Sequence, residues 1–164
     1  MKKIIYILLL IIIFPNNSFS AATDSGSSDG TYGTSSYTKA YNLIKQAKKY
    51  EKKGKAEKAQ KRYKKAQKLL LKSNKEKPLQ ADTLNYLGFT TRKLGDYKKG
   101  EEFYLLGLKI EPNHKGINEY LGELYVVTER IDLAKERLEV LKNCNCEEYD
   151  ELKEIIEGTK KSKY

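Results

Sequence analysis

Histidine, cysteine and tryptophan are nearly missing from this 164-residue chain, which holds one His, two Cys and no Trp. A single imidazole and two thiols cannot build a structural zinc cage, and they leave little for His-centred acid–base or nucleophilic catalysis. No cofactor is expected on these grounds. Long apolar runs are scarce too. The one present, Ile4 to Phe14, is eleven residues long, and as a helix it would reach only about 16 Å against roughly 30 Å of bilayer hydrocarbon. Lys2 and Lys3 precede it, Pro15 breaks it, and Ser20 or Ala22 offers a small residue for cleavage. Residues 1–22 therefore read as an export signal, with an uncleaved N-terminal membrane anchor as the duller alternative. No cysteine lies near the cleavage region, so lipid attachment there is not expected, and no Asn-x-Ser/Thr acceptor follows it, which fits a bacterial envelope.

Residues 23–37 are Ser, Gly, Thr and Asp with little to bury, so a disordered linker is expected there. Beyond it charge is uneven. Between Thr38 and Leu79 sixteen Lys or Arg face only Glu51, Glu57 and Glu76, whereas from Gln80 onward fourteen basic residues meet seventeen acidic ones. A basic hairpin over 38–76 is thus followed by mildly acidic chain. Its lysines leave a thin apolar stripe (Tyr41, Leu43, Ile44, Ala47 and Tyr50, then Ala59, Tyr63, Ala66, Leu69 and Leu70), so it should be the least stable unit. Pro78 disfavours helix at Lys77 and marks the connector.

Most information lies in residues 81–114. With Ala81 as position 1, Leu84, Leu87, Gly88 and Thr91 fall at 4, 7, 8 and 11, one face of a helix. A turn at Leu94-Gly95-Asp96 follows, then Tyr97, Gly100, Tyr104, Gly107 and Leu108 form a second face, and Pro112 closes the unit. Gly88, Gly100 and Gly107 would each cost a helix roughly 1 kcal/mol relative to alanine. Close approach of paired helices supplies a reason for them. Thirty-four residues on, over 115–146, Leu121, Gly122, Tyr125, Ala134, Leu138 and Leu141 take the same positions, with Asn118 at 4 and Glu129 at 15 as departures. Backwards, Ala40 as position 1 puts Leu43 at position 4 and Ala47, Tyr50, Gly54, Ala59, Tyr63 and Ala66 in register, with Gln46 out of pattern. Residues 147–157, with Leu152, Ile155 and Ile156, read as a capping helix covering the last hairpin.

This spacing resembles the tetratricopeptide repeat (TPR). The expected fold is all-α, a TPR-type helical hairpin solenoid with two clear repeats, one degenerate N-terminal repeat and a C-terminal cap. Taking the first helix of each hairpin as the concave lining, the partner-binding candidates are Asp82, Asn85, Phe89, Arg92 and Lys93, then Glu119, Tyr120 and Glu123. Phe89 among charges reads either as an anchor for a peptide or as packing on the neighbouring hairpin. Cys144 and Cys146 read as a structural bridge, as free thiols or as a redox site. His114 reads as a turn residue. The lysine-rich hairpin reads as a solvated surface or as a binder of anionic polymers or surfaces. No aromatic platform is interleaved for bases, so no specific nucleic acid is expected.

The segments LNYLG, RKLGDY, IEPNH and EYLGELY, with Cys-x-Cys-Glu-Glu-Tyr after them, resemble small exported TPR proteins of Gram-negative bacteria. The resemblance implies protein binding in the periplasm without catalysis. The carboxylate clamp of some relatives is not carried: its positions hold Ile44, Lys48, Tyr86, Gly116 and Tyr120.

Overall fold

The computed structural model describes residues 35–162, all within one compact unit. The expected signal over 1–22 and residues 23–34 of the expected linker lie outside the described residues. Seven helices follow in order among the described residues: α1 (Ser36–Lys52), α2 (Ala56–Glu76), α3 (Ala81–Lys93), α4 (Tyr97–Ile110), α5 (Lys115–Val127), α6 (Ile131–Leu141) and α7 (Glu147–Ile156). Each odd helix of the first six packs on the even helix after it, and α7 packs on both α5 and α6. Helix α1 begins two residues before Thr38, so Ser36 and Tyr37 belong to the helix and not to the linker. The reason is local: Ser35 accepts a hydrogen bond from the Thr38 amide at 3.1 Å, and Tyr37 packs on Tyr86, 6.1 Å between ring centres.

The three hairpin turns are one device repeated. Gly54, Gly95 and Glu129, all at position 15, have φ of 65°, 98° and 61°. In each, the amide of that residue donates to the carbonyl three residues back (Glu51, Arg92, Val126). The next amide donates to the carbonyl five back (Tyr50, Thr91, Tyr125). This is the Schellman closure, which satisfies the last carbonyls of a helix and needs a left-handed residue. Glutamate therefore performs at 129 what glycine performs at 54 and 95. A left-handed L-residue costs about 1–2 kcal/mol, partly offset by the greater unfolded-chain freedom of glycine. Glu129→Gly is accordingly expected to stabilise the chain by about 0.5–1 kcal/mol in urea unfolding, with unchanged helix content.

Asn118, the other departure, is fully buried yet satisfied. Its Nδ2 donates to the carbonyls of Pro112 and His114, both at 3.0 Å, which ties the α4–α5 connector to the helix it introduces.

The helical glycines are where helices touch. A Cβ at Gly88 would run into the ring of Tyr104, which is completely buried on α4. A Cβ at Gly100 would lie 3.1 Å from the Gly88 carbonyl oxygen and 3.3 Å from the Arg92 amide, so α4 passes α3 nearly backbone to backbone. Gly107 and Gly122 make the same room between units, against Ile117 and Leu152. The core runs continuously through Ala40, Ile44 and Ala47, Tyr63 and Leu70, Leu84 and Leu87, Tyr104, and Leu121 and Leu124. In the first hairpin the buried position is Ile44, with Leu43 only half-buried.

Candidate functional site

The first helices of the hairpins, α1, α3 and α5, carry the candidate residues, and the structure sorts these residues into distinct environments. Asp82 is open, its side chain 70% exposed, and it accepts at 3.1 Å from His114 Nε2. The other ring nitrogen, Nδ1, accepts from the Ile117 amide at 3.1 Å, so His114 caps α5 with its proton on Nε2. Phe89 is 1% exposed, edge-on to Tyr63 at 5.7 Å and beside Tyr120 at 5.1 Å between ring centres. Its ring packs on Tyr63 and Tyr120 of the neighbouring hairpins and also borders one of the openings described below. The Lys48 ammonium lies 4.6 Å from the Phe89 ring centre and donates to the Tyr120 hydroxyl at 3.1 Å.

Arg92 and Glu123 form a buried pair between α3 and α5, 3.7 Å apart, both side chains with no exposed area. Arg92 also donates to the Tyr120 carbonyl, and the Ser162 hydroxyl donates to Glu123 Oε2 at 3.0 Å. These two residues therefore offer a partner little surface. Lys93 turns towards the first hairpin, 2.6 Å from Glu51, which accepts from the Tyr63 hydroxyl at 2.8 Å. Burial, helped by that hydrogen bond, raises the Tyr63 phenol far above its ordinary range. This network joins α1, α2 and α3.

Two openings remain on this face. One, about 440 Å³, is bounded by Lys48, Glu51 and Lys52 of α1, Phe89 of α3 and Glu151 of α7. The other, about 400 Å³, lies where α3, α5 and α7 begin; it brings together Asp82, Asn85, Glu119 and Tyr120 with Tyr86, Glu111, His114, Gly116 and Glu148. Burial raises the phenols of Tyr86 and Tyr120 as well, so both rings stay neutral. The sequence reading missed Gly116, although it sits at position 2 of its repeat, an inward position. It missed Glu148 because the cap was never given an inner face. A separate groove of about 570 Å³ on the first hairpin gathers Tyr50, Lys58, Lys61, Arg62, Lys64, Lys65 and Lys68.

Cys144 and Cys146 are bonded to each other, and Cys146 is the residue from which α7 starts. Among the described residues no helix is long and apolar enough to cross a membrane.

No protein-family model matches this chain, and no curated protein matches it. Among solved structures, the first TPR domain of the human RPAP3 protein, determined by NMR, aligns with a TM-score of 0.53 at 21% identity, covering 77% of this chain and 98% of that domain. The first TPR of Spaghetti (RPAP3) bound to the HSP90 peptide SRMEEVD aligns with a TM-score of 0.47 at 21% identity, covering 75% and 94%. The likeness to the human domain, with the seven helices and their repeated turns, shows an all-α helical repeat fold of TPR type.

Proposed function

We propose that the chain is a non-catalytic, exported scaffold that works in the periplasm and holds a protein or peptide partner on the inner face of its hairpins. The observation carrying this reading is the pair of polar openings lined by α1, α3, α5 and α7. Polar openings held between packed helices suit recognition, where little ordering entropy remains to be lost on binding. Export is supported by the charged, apolar and small-residue order of residues 1–22 and by the Cys144–Cys146 bridge, which suits an oxidising compartment. A photo-crosslinking side chain placed at Lys52 or Glu148, on the inner face, should give partner adducts in envelope extract. The same group at Lys109, on the outer face of α4, should give none. Adducts from Lys109 alone would overturn the reading.

A second reading rests on the basic groove of the first hairpin, where six cations meet in one place. Binding of an anionic polymer there would weaken steeply with salt, with a log-log slope of about −0.9 per phosphate neutralised on duplex DNA. Absent or salt-insensitive retention on heparin and DNA removes it.

A thiol-redox role is separated by Cys144→Ser/Cys146→Ser. So small a loop constrains little unfolded chain, so the scaffold reading expects a loss of only about 1–2 kcal/mol in stability and unchanged partner adducts. Loss of the adducts from the folded variant would instead place the thiols in the function.

A further inference from the structure

The first and last parts of the fold carry opposite charge on matched helix faces. On α2, Lys58, Lys61, Lys65 and Lys68 follow one another at steps of three, four and three residues, which places them on one face, opposite the buried Ala59, Tyr63, Ala66 and Leu70. With Tyr50, Arg62 and Lys64 they line the groove of about 570 Å³ on the first hairpin. On α7, Glu147, Asp150, Glu154 and the C-cap Glu157 repeat the same steps, on the face opposite Leu152 and Ile155. All eight of these side chains are exposed. Each stripe advances ten residues, about 15 Å of helix.

Neither stripe is neutralised within its own chain. Among the described residues no ion pair engages any of the six groove cations, nor Glu147 or Asp150. Glu154 and Glu157 lie 3.3 Å from Lys160 and 3.9 Å from Lys153, but both carboxylates stay about half exposed, and surface pairs of that kind contribute little. Like charges three and four residues apart on a helix repel, so each face carries a standing cost that an opposite stripe would relieve. The helix dipole accounts for Glu147 and Asp150 in the first turn of α7. It does not account for Glu154 and Glu157 near the other end, where it disfavours carboxylates. One chain does not pair its own stripes, because α7 packs on α5 and α6 while α2 packs on α1 and α3.

We propose that the occupant of the basic groove is a second copy of this chain, with the acidic face of α7 in one copy seated on the basic face of α2 in the other. This goes beyond the inner-face scaffold reading and competes with an anionic polymer for the same groove. The two patches differ, so either two copies exchange both contacts and close as a dimer, or copies add head to tail. Direction does not change the register. Steps of three, four and three read the same from either end, so Lys61 and Lys65 face Asp150 and Glu154 whether the helices run parallel or antiparallel.

The test is sedimentation velocity of the full chain at about 0.1 M and about 1 M salt, between which the screening length falls from about 10 Å to about 3 Å. Self-association is expected at the lower salt and should be at least tenfold weaker at the higher. Lys61→Glu/Lys65→Glu and Asp150→Lys/Glu154→Lys, each checked for native helix content, should each weaken it at least tenfold, because like charges then meet. Combining all four changes in one chain should restore it, which neither a folding defect nor a polymer-binding groove would do. Monomers at the lower salt would overturn the proposal, and steeply salt-dependent retention of those monomers on heparin would assign the groove to an anionic polymer. Association that survives both salt and charge reversal would overturn it as well, by placing the contact on apolar surface. So would a folded chain with all four changes that stays monomeric.

Discussion

Replacing Arg92 with alanine is expected to lower the unfolding free energy by about 3–5 kcal/mol, the usual cost of removing one member of a buried ion pair. Glu123 has no exposed side-chain area and would be left in the interior without the guanidinium 3.7 Å away. The loss is not a measure of the pair's net worth, because desolvating both groups already offsets most of their attraction. Arg92→Met/Glu123→Leu should therefore recover most of the loss, and urea unfolding of the four forms in a double-mutant cycle measures the coupling. A double variant as unstable as Arg92→Ala would mean that the arginine stabilises through its bond to the Tyr120 carbonyl and its packed stem instead.

Gly88→Ala sets two effects of opposite sign against each other. Helix propensity alone predicts stabilisation by about 1 kcal/mol. Packing predicts the reverse, since the new methyl would meet the Tyr104 ring, and overpacking a core costs typically about 1–3 kcal/mol. Tyr104 is wholly buried and has no solvent side to retreat to, so packing wins. The expected net loss is about 1–2 kcal/mol, seen as a melting temperature lower by roughly 3–10 °C for a domain of this size. A rise would show that the two helices are farther apart than described.

The hairpin repeat was legible in the sequence because small residues and apolar faces recur every thirty-four positions and each demand follows from local geometry. The Glu129 turn was not: residue type gives no sign of a left-handed backbone when glycine is absent, and only the repeat register places it. Asn118 looked like a break in the pattern because its partners, two carbonyls of the preceding connector, are invisible until the chain folds. The start of α1 was misjudged by two residues because Tyr37 is held by Tyr86, a neighbour distant in sequence. At the inner face, position numbers found Asp82, Asn85, Glu119 and Tyr120 of the acidic pocket. They could not tell that Phe89, Arg92 and Glu123 are buried, since this depends on Tyr63, Lys48 and Tyr120 closing in from other hairpins. The two-residue bridge at Cys144 and Cys146 was one of three open readings, because spacing alone does not decide whether two sulfurs bond.

Everything functional here depends on hairpins nested tightly enough to hold the inner face in place. The most direct measurement is the proton NMR of Gly88. One of its α-protons points at the Tyr104 ring and should show strong nuclear Overhauser effects to the ring protons, with a clear ring-current shift. An α-proton pair at ordinary helical shifts, with no cross-peak to Tyr104, would contradict the account.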